Sequence, residues 1–61
     1  MNRLLEGLLL EAATLPVVIV VYDIRGETKF EMLTLHLATP GERAIALAIL
    51  TEFKADFAVV R

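Results

Sequence analysis

The chain has 61 residues, of which 57% are hydrophobic, and a formal net charge of −2 at pH 7. A chain of this length forms at most one small domain and buries only about 60% of the surface that its unfolded form exposes. The absence of cysteine and the single histidine exclude disulfides and the usual zinc ligand sets, and the acidic balance lacks the basic patch of nucleic-acid-binding proteins. We therefore expect residues 1–61 to form one domain stabilised by a partner chain.

The sequence predicts neither a membrane segment nor a signal peptide. Residues 12–22 form the longest run without a charged side chain, and this run is well short of the roughly 20 residues of a spanning helix. Glu6 and Glu11 interrupt the leucine-rich start of the chain, which is not typical of a signal peptide. We expect a cytoplasmic protein without a membrane partner.

The first predicted element is a helix over residues 3–14, with Asn2 as its N-cap. At about 100° per residue, the leucines collect on one broad face, and the opposite face is polar except for Leu10. The predicted inward face consists of Leu4, Leu5, Leu8, Leu9, Ala12 and Leu15. Leu10 is therefore expected on the outside. Pro16 ends this region, because the residue before a proline avoids the α conformation.

Residues 17–24 predict a strand that is apolar on both faces. One face has Val17, Ile19 and Val21, and the other has Val18, Val20, Tyr22 and Ile24. A continuous apolar run is typical of a strand that is covered on both sides.

A tight turn at Gly26 and a second strand over residues 28–37 complete a β-hairpin that begins at residue 17. The apolar positions of the second strand change phase after Met32. A side-chain period of two cannot switch faces without an extra residue, so we expect a β-bulge near Met32 and Leu33.

The segment Thr39-Pro40-Gly41-Glu42 predicts the start of a second helix, with a capping box and proline at the first helical position. The helix should extend to about Lys54. Its predicted apolar face consists of Ile45, Ala46, Ile49, Leu50 and Phe53, with Leu47 on the opposite face. Residues 56–61 predict a short terminal strand.

The resulting α-β-β-α-β order predicts an α+β fold, in which a small, largely antiparallel sheet is covered by two helices on one face. The order is similar to the ferredoxin-like β-α-β-β-α-β order without its first strand. This resemblance implies a gap in the sheet that a partner would fill.

The second face of the residue 17–24 strand has nothing in this chain to cover it. The sequence therefore favours a small non-catalytic interaction or scaffold protein that self-assembles through its β-sheet as a homodimer or higher oligomer. The predicted interface consists of Val17, Val18, Ile19, Val20, Val21, Leu10 and Leu47. The alternative partner is a different protein chain, as for a subunit or an antitoxin-like protein. Residues 4–27 resemble the start of a Roadblock/LC7 domain, which implies a dimeric scaffold.

A metal-dependent nuclease-like site at the hairpin tip is the alternative function. Asp23 and the Glu27-x-Lys29 pair resemble the PD-(D/E)xK nuclease pattern, which implies Mg²⁺ held by Asp23 and Glu27. A solvated, charged turn is the competing interpretation. His36 has no serine or cysteine partner anywhere in the chain, so no catalytic triad is predicted. We expect no cofactor.

Overall fold

The computed structural model describes residues 3–60. These residues form helix α1 (Arg3–Ala12), strands β1 (Val17–Arg25) and β2 (Thr28–Leu37), helix α2 (Pro40–Glu52) and strand β3 (Asp56–Val59). The sheet is antiparallel with the strand order β2-β1-β3, which confirms the predicted α+β class. The predicted cap Asn2 and the last residue of the predicted terminal strand, Arg61, lie outside the described residues.

Strand β1 is the centre of the sheet. It pairs with β2 on one side and with β3 on the other, where Val21 lies opposite Phe57 and Ile19 opposite Val59. Strand β3 thus joins the sheet directly beside β1. The ferredoxin-like resemblance implied a gap in the sheet that a partner strand would fill. No such gap lies between β1 and β3, because these two strands are hydrogen-bonded to each other.

The hairpin has the turn and the bulge that the sequence predicts. Gly26 adopts φ of +61° between the paired residues Arg25 and Thr28, a backbone conformation that glycine reaches without a Cβ clash. Farther along, Val21 faces Leu33 and the next residue of β1 faces Glu31. Met32 is therefore the extra residue of a β-bulge, which confirms the predicted position.

The bulge decides which side chains of β2 face the helices. The pairing places Phe30, Leu33, Leu35 and Leu37 on the same face as Val17, Ile19 and Val21 of β1. The core lies between this face and the two helices, and its buried residues are Leu10, Val17, Ile19, Val21, Leu37, Ala46, Leu50 and Phe57. Both helices thus cover one face of the sheet.

Helix α1 is turned the opposite way from the sequence prediction. Leu10 is completely buried, whereas Leu4 is 76% and Leu8 57% exposed, and Leu5 and Leu9 are about half exposed. The predicted inward face was wrong for α1 itself, because helical periodicity finds the most apolar face, not the face that meets the core. Leu15, past the end of the helix, does pack against the core as predicted. Gly7 lies on the packed side: a Cβ added there would be 3.8 Å from Leu47 Cδ1 of α2.

Helix α2 begins as predicted and packs with a narrower face than predicted. The Glu42 N–H donates to Thr39 Oγ1, and the Thr39 N–H donates to Glu42 Oε1, which confirms the capping box. Ala46 and Leu50 are buried, and Leu47 packs against the core. The predicted apolar face is only partly correct, because Ile45, Ile49 and Phe53 are half or more exposed.

Candidate interaction surfaces

One face of the sheet has no helix on it within residues 3–60. We call this the open sheet face. Its central row, on β1, consists of Val18, Val20, Tyr22 and Ile24, by the alternation of side chains along the strand. The flanking rows are Lys29, Glu31, Thr34 and His36 on β2, and Asp56, Ala58 and Val60 at the β3 edge. The Val60 N–H donates to the Val18 carbonyl at 2.8 Å, which extends the β3 pairing by one residue.

The open sheet face has an apolar centre and a polar margin along β2. Neighbouring side chains leave Val18, Val20 and Tyr22 partly exposed, while Ile24 is 40% and Val60 55% exposed. The Lys29 Nζ lies 4.7 Å from the centroid of the Tyr22 ring, in a cation–π contact that covers part of that ring. An apolar centre with a polar rim is typical of protein–protein interfaces.

The structure divides the residues that the sequence predicts as an interface into two groups. Val18 and Val20 lie side by side on the open sheet face. Leu10, Val17, Ile19 and Val21 are buried in the core of the chain itself, and Leu47 is partly buried against that core. The latter residues offer little or no surface to a partner, so the candidate surface on the sheet is built from the alternate residues of β1.

A second apolar surface lies on the outside of the helix layer, and sequence reasoning missed it. Leu4 and Leu8 are one helical turn apart on α1 and are exposed. On the antiparallel helix α2, Ala44 and Ala48 are also exposed and one turn apart, and Ala48 is at the level of Leu8. The signal was present as the leucine-rich face of α1, but that face was assigned to the core.

The hairpin tip does not bring together Asp23 and Lys29, the first and last residues of the nuclease-like pattern. Asp23 Oδ2 accepts a hydrogen bond from Arg25 Nε at 2.9 Å, and this ion pair is exposed. Lys29 pairs with Ile24 and contacts Tyr22, so it lies on the face opposite to Asp23. Glu27 lies exposed in the turn. Across residues 3–60 no cluster of three or more acidic, histidine or cysteine side chains is placed to hold a metal ion.

His36 lies on the open sheet face, opposite Val18. Its side chain is exposed at the edge strand of the sheet. This position makes His36 part of the polar margin of the open sheet face, where it would lie at the rim of any partner bound there.

Neither helix of the described part of the chain is long and apolar enough to cross a bilayer. No family model, no curated protein and no solved structure matches the chain. The resemblances to Roadblock/LC7 and PD-(D/E)xK proteins gain no support from these comparisons. Function must therefore be inferred from the surfaces themselves.

Proposed function

We propose that this chain is a small, non-catalytic interaction module that self-assembles through its open sheet face, with a homodimer as the first species. The observation that carries the proposal is the apolar row Val18, Val20 and Tyr22 on a sheet face that no helix of residues 3–60 covers. Because β1 is the central strand, this row runs through the middle of the face rather than along its edge.

The sequence of β1 differs from that of a strand with one solvated face. An antiparallel sheet with one face in water normally alternates apolar and polar residues. Here the outward positions from Val18 to Ile24 include no charged residue. Complete burial of an aliphatic side chain contributes about 1.5–3 kcal/mol, so covering each partly exposed valine should contribute about 1 kcal/mol or less. Several such side chains together favour association.

The margin of the face suits a copy of the same chain. The rim has mixed charge, from Lys29, Glu31 and Asp56. A rim of a single sign would repel an identical copy or favour a partner of opposite charge, and a mixed rim does neither. A two-fold axis in the plane of contact would place the apolar rows of two copies against each other. The same surface would then be buried on both copies.

Binding is favoured over catalysis by the geometry of the hairpin tip. The Asp23 carboxylate is already paired with Arg25, and Lys29 lies on the opposite face of the hairpin. The residues of the nuclease-like pattern are thus separated. A cytoplasmic location is part of the proposal, because a chain this small that relies on no disulfide suits a reducing compartment.

The test measures the solution mass of the chain by light scattering from micromolar to millimolar concentration, with Val20→Lys as the variant. We expect the wild-type chain to assemble and Val20→Lys to lower the assembled mass, because a charge would be buried at the centre of the interface. Leu33→Lys is the matched control: Leu33 is a 47% exposed residue on the helix side of the same sheet.

Two outcomes would contradict the proposal. A wild-type chain that is folded and monomeric throughout would exclude self-assembly, and the open sheet face would then be a candidate site for a different chain. An assembled mass that Val20→Lys and Leu33→Lys lower equally would exclude the open sheet face as the specific contact. Circular dichroism on each variant shows whether the fold is kept.

A further inference from the structure

We propose that the outside of the helix layer is a second interface, that its partner is a second copy of this chain, and that Leu8 of one copy packs against Ala48 of the other. This surface lies on the side of the domain opposite to the open sheet face, so the two contacts are independent. We call it the outer helix surface. Its members are Leu4, Leu8, Ala44 and Ala48.

Helix α1 has an orientation that is inverted for an isolated domain. Leu4 and Leu8 are 76% and 57% exposed, while Glu6 Oε2 is buried and has no hydrogen-bond partner among the described residues. An isolated domain would gain by placing leucines inward and the carboxylate in water. The observed orientation fits a protein in which another chain covers the leucines.

The shape of the outer helix surface also suits a second copy of the chain. Leu4 and Leu8 protrude from α1, whereas the neighbouring α2 presents only methyl groups at Ala44 and Ala48. Between the helices these alanines and Leu47 form the apolar part of a shallow depression of about 510 Å³, which Glu11, Arg43 and Glu52 also line. A leucine side chain of a partner fits over alanines, because small residues let two helices approach closely.

The surface is self-complementary in this respect. The two helices are antiparallel, since Arg3 contacts the carbonyl of Lys54 and Arg43 contacts that of Ala13. By this alignment Leu8 and Ala48 stand at the same level along the helix pair. A two-fold axis parallel to the helices therefore places α1 of each copy over α2 of the other, and both leucine–alanine contacts form together.

The charges at the ends of the helices agree with this arrangement. The start of α1 in one copy lies over the end of α2 in the other. Arg3 of each copy then faces Glu52 of its partner, and both side chains are exposed. A second copy thus satisfies charge as well as shape. An anionic bilayer fits less well, because the exposed acidic residues Glu11 and Glu52 line this surface, with Arg3 as the exposed basic residue of α1.

The test is an exchange of the large and the small residue, made in the Val20→Lys background so that the open sheet face does not contribute. The dimer dissociation constant is measured by sedimentation for Leu8→Ala, for Ala48→Leu and for the two combined. We expect each single change to weaken the dimer by about tenfold, through a lost contact in the first case and a steric clash in the second. The combined variant should recover most of this loss, because the large and small residues have exchanged places.

Leu9→Ala is the matched control, because Leu9 is a similarly exposed leucine of α1 that points away from α2. It should change the dissociation constant less than Leu8→Ala does. The proposal is overturned if the Val20→Lys chain is a folded monomer at millimolar concentration, or if the combined variant binds no better than the single ones. It is also overturned if Leu8→Ala abolishes binding to phosphatidylglycerol vesicles but leaves the dimer unchanged.

A monomer in the Val20→Lys background together with an assembled wild-type chain would refute the outer helix surface and support the open sheet face. Conversely, a Val20→Lys mass equal to that of the wild type, with loss of assembly in Leu8→Ala, would refute the open sheet face alone. The two proposals can therefore fail separately. If both hold, the wild-type chain forms species larger than a dimer, because its two interfaces lie on opposite sides of the domain.

Discussion

The guanidinium of Arg43, on the first turn of α2, donates a hydrogen bond to the carbonyl oxygen of Ala13, just past the end of α1. At the other end of the helix pair, Arg3 donates in the same way to the carbonyl of Lys54, past the end of α2. The last carbonyls of a helix lack partners within the helix and are where its negative partial charge collects. Each helix therefore supplies the cation that caps its neighbour, and the two bonds hold α1 and α2 antiparallel.

Replacing Arg43 should destabilise the domain. Arg43→Met keeps much of the aliphatic stem but removes the charged donor from the partly buried contact with Ala13. We expect a loss of about 1–2 kcal/mol in the free energy of unfolding, measured by urea denaturation at a fixed protein concentration. Arg25→Met is the control, because Arg25 makes exposed contacts, an ion pair with Asp23 and a cation–π contact with the Phe30 ring, and should change stability by about 0.5 kcal/mol. Equal losses in the two variants would contradict the capping role.

Lys54→Gly should stabilise the chain, since Lys54 adopts a left-handed backbone with φ of +51°. The Ala55 N–H donates to the Leu50 carbonyl at 2.9 Å and the Lys54 N–H to the Thr51 carbonyl at 3.2 Å, the pattern of a Schellman motif. Glycine usually occupies this position, so the gain should be about 0.5–1 kcal/mol in thermal or urea unfolding. Lys54→Ala keeps the Cβ and should bring no such gain. A glycine variant no more stable than the alanine variant would count against this account.

At Gly7, a small side chain should help and a large one should harm. The alanine Cβ would meet Leu47 Cδ1 at 3.8 Å, an ordinary van der Waals distance. Gly7→Ala should therefore raise the free energy of unfolding by about 0.5–1 kcal/mol, because alanine has the higher helix propensity. In a domain of this size each kcal/mol raises Tm by roughly 4–8 °C. Gly7→Leu should lower stability by about 1–3 kcal/mol, because it forces α1 and α2 apart. A gain for both variants would show that the helices do not pack closely at Gly7.

Magnesium should not bind at the hairpin tip. Asp23 is engaged by Arg25, and Lys29 lies on the other face of the hairpin, beside Tyr22. We expect amide NMR shifts at Asp23 and Glu27 to stay unchanged up to millimolar Mg²⁺, as for the distant Glu52. Saturable shifts confined to Asp23 and Glu27 would restore the nuclease-like alternative.

The local elements of this fold follow from short stretches of sequence. The capping box at Thr39 and Glu42, the proline at position 40 and the positive φ of Gly26 depend on side chains within a few residues of the backbone that they act on. The bulge at Met32 was predictable too, because a strand cannot change the phase of its apolar residues without an extra residue. In such places the energetics are local, so the sequence pattern is sufficient.

The candidate surfaces were only partly predictable. The alternation along β1 placed Val18 and Val20 on one face and Val17 and Ile19 on the other, as the structure has them. It did not indicate which of these faces meets the helices. Likewise, helical periodicity correctly grouped the leucines of α1 on one face, but the prediction that this face meets the core was wrong, because the leucines are exposed.

The sequence by itself determined the order and type of the elements, because capping, turn chemistry and strand alternation act over a few residues. Tertiary structure alone decided the strand order β2-β1-β3 and the rotation of α1 that buries Leu10 and exposes Leu8. These depend on contacts between distant residues, such as Gly7 against Leu47 and Arg43 against Ala13. Burial of an apolar face is favourable but has no preferred direction. Whether that face is buried in the core of its own chain or against another chain depends on the rest of the fold.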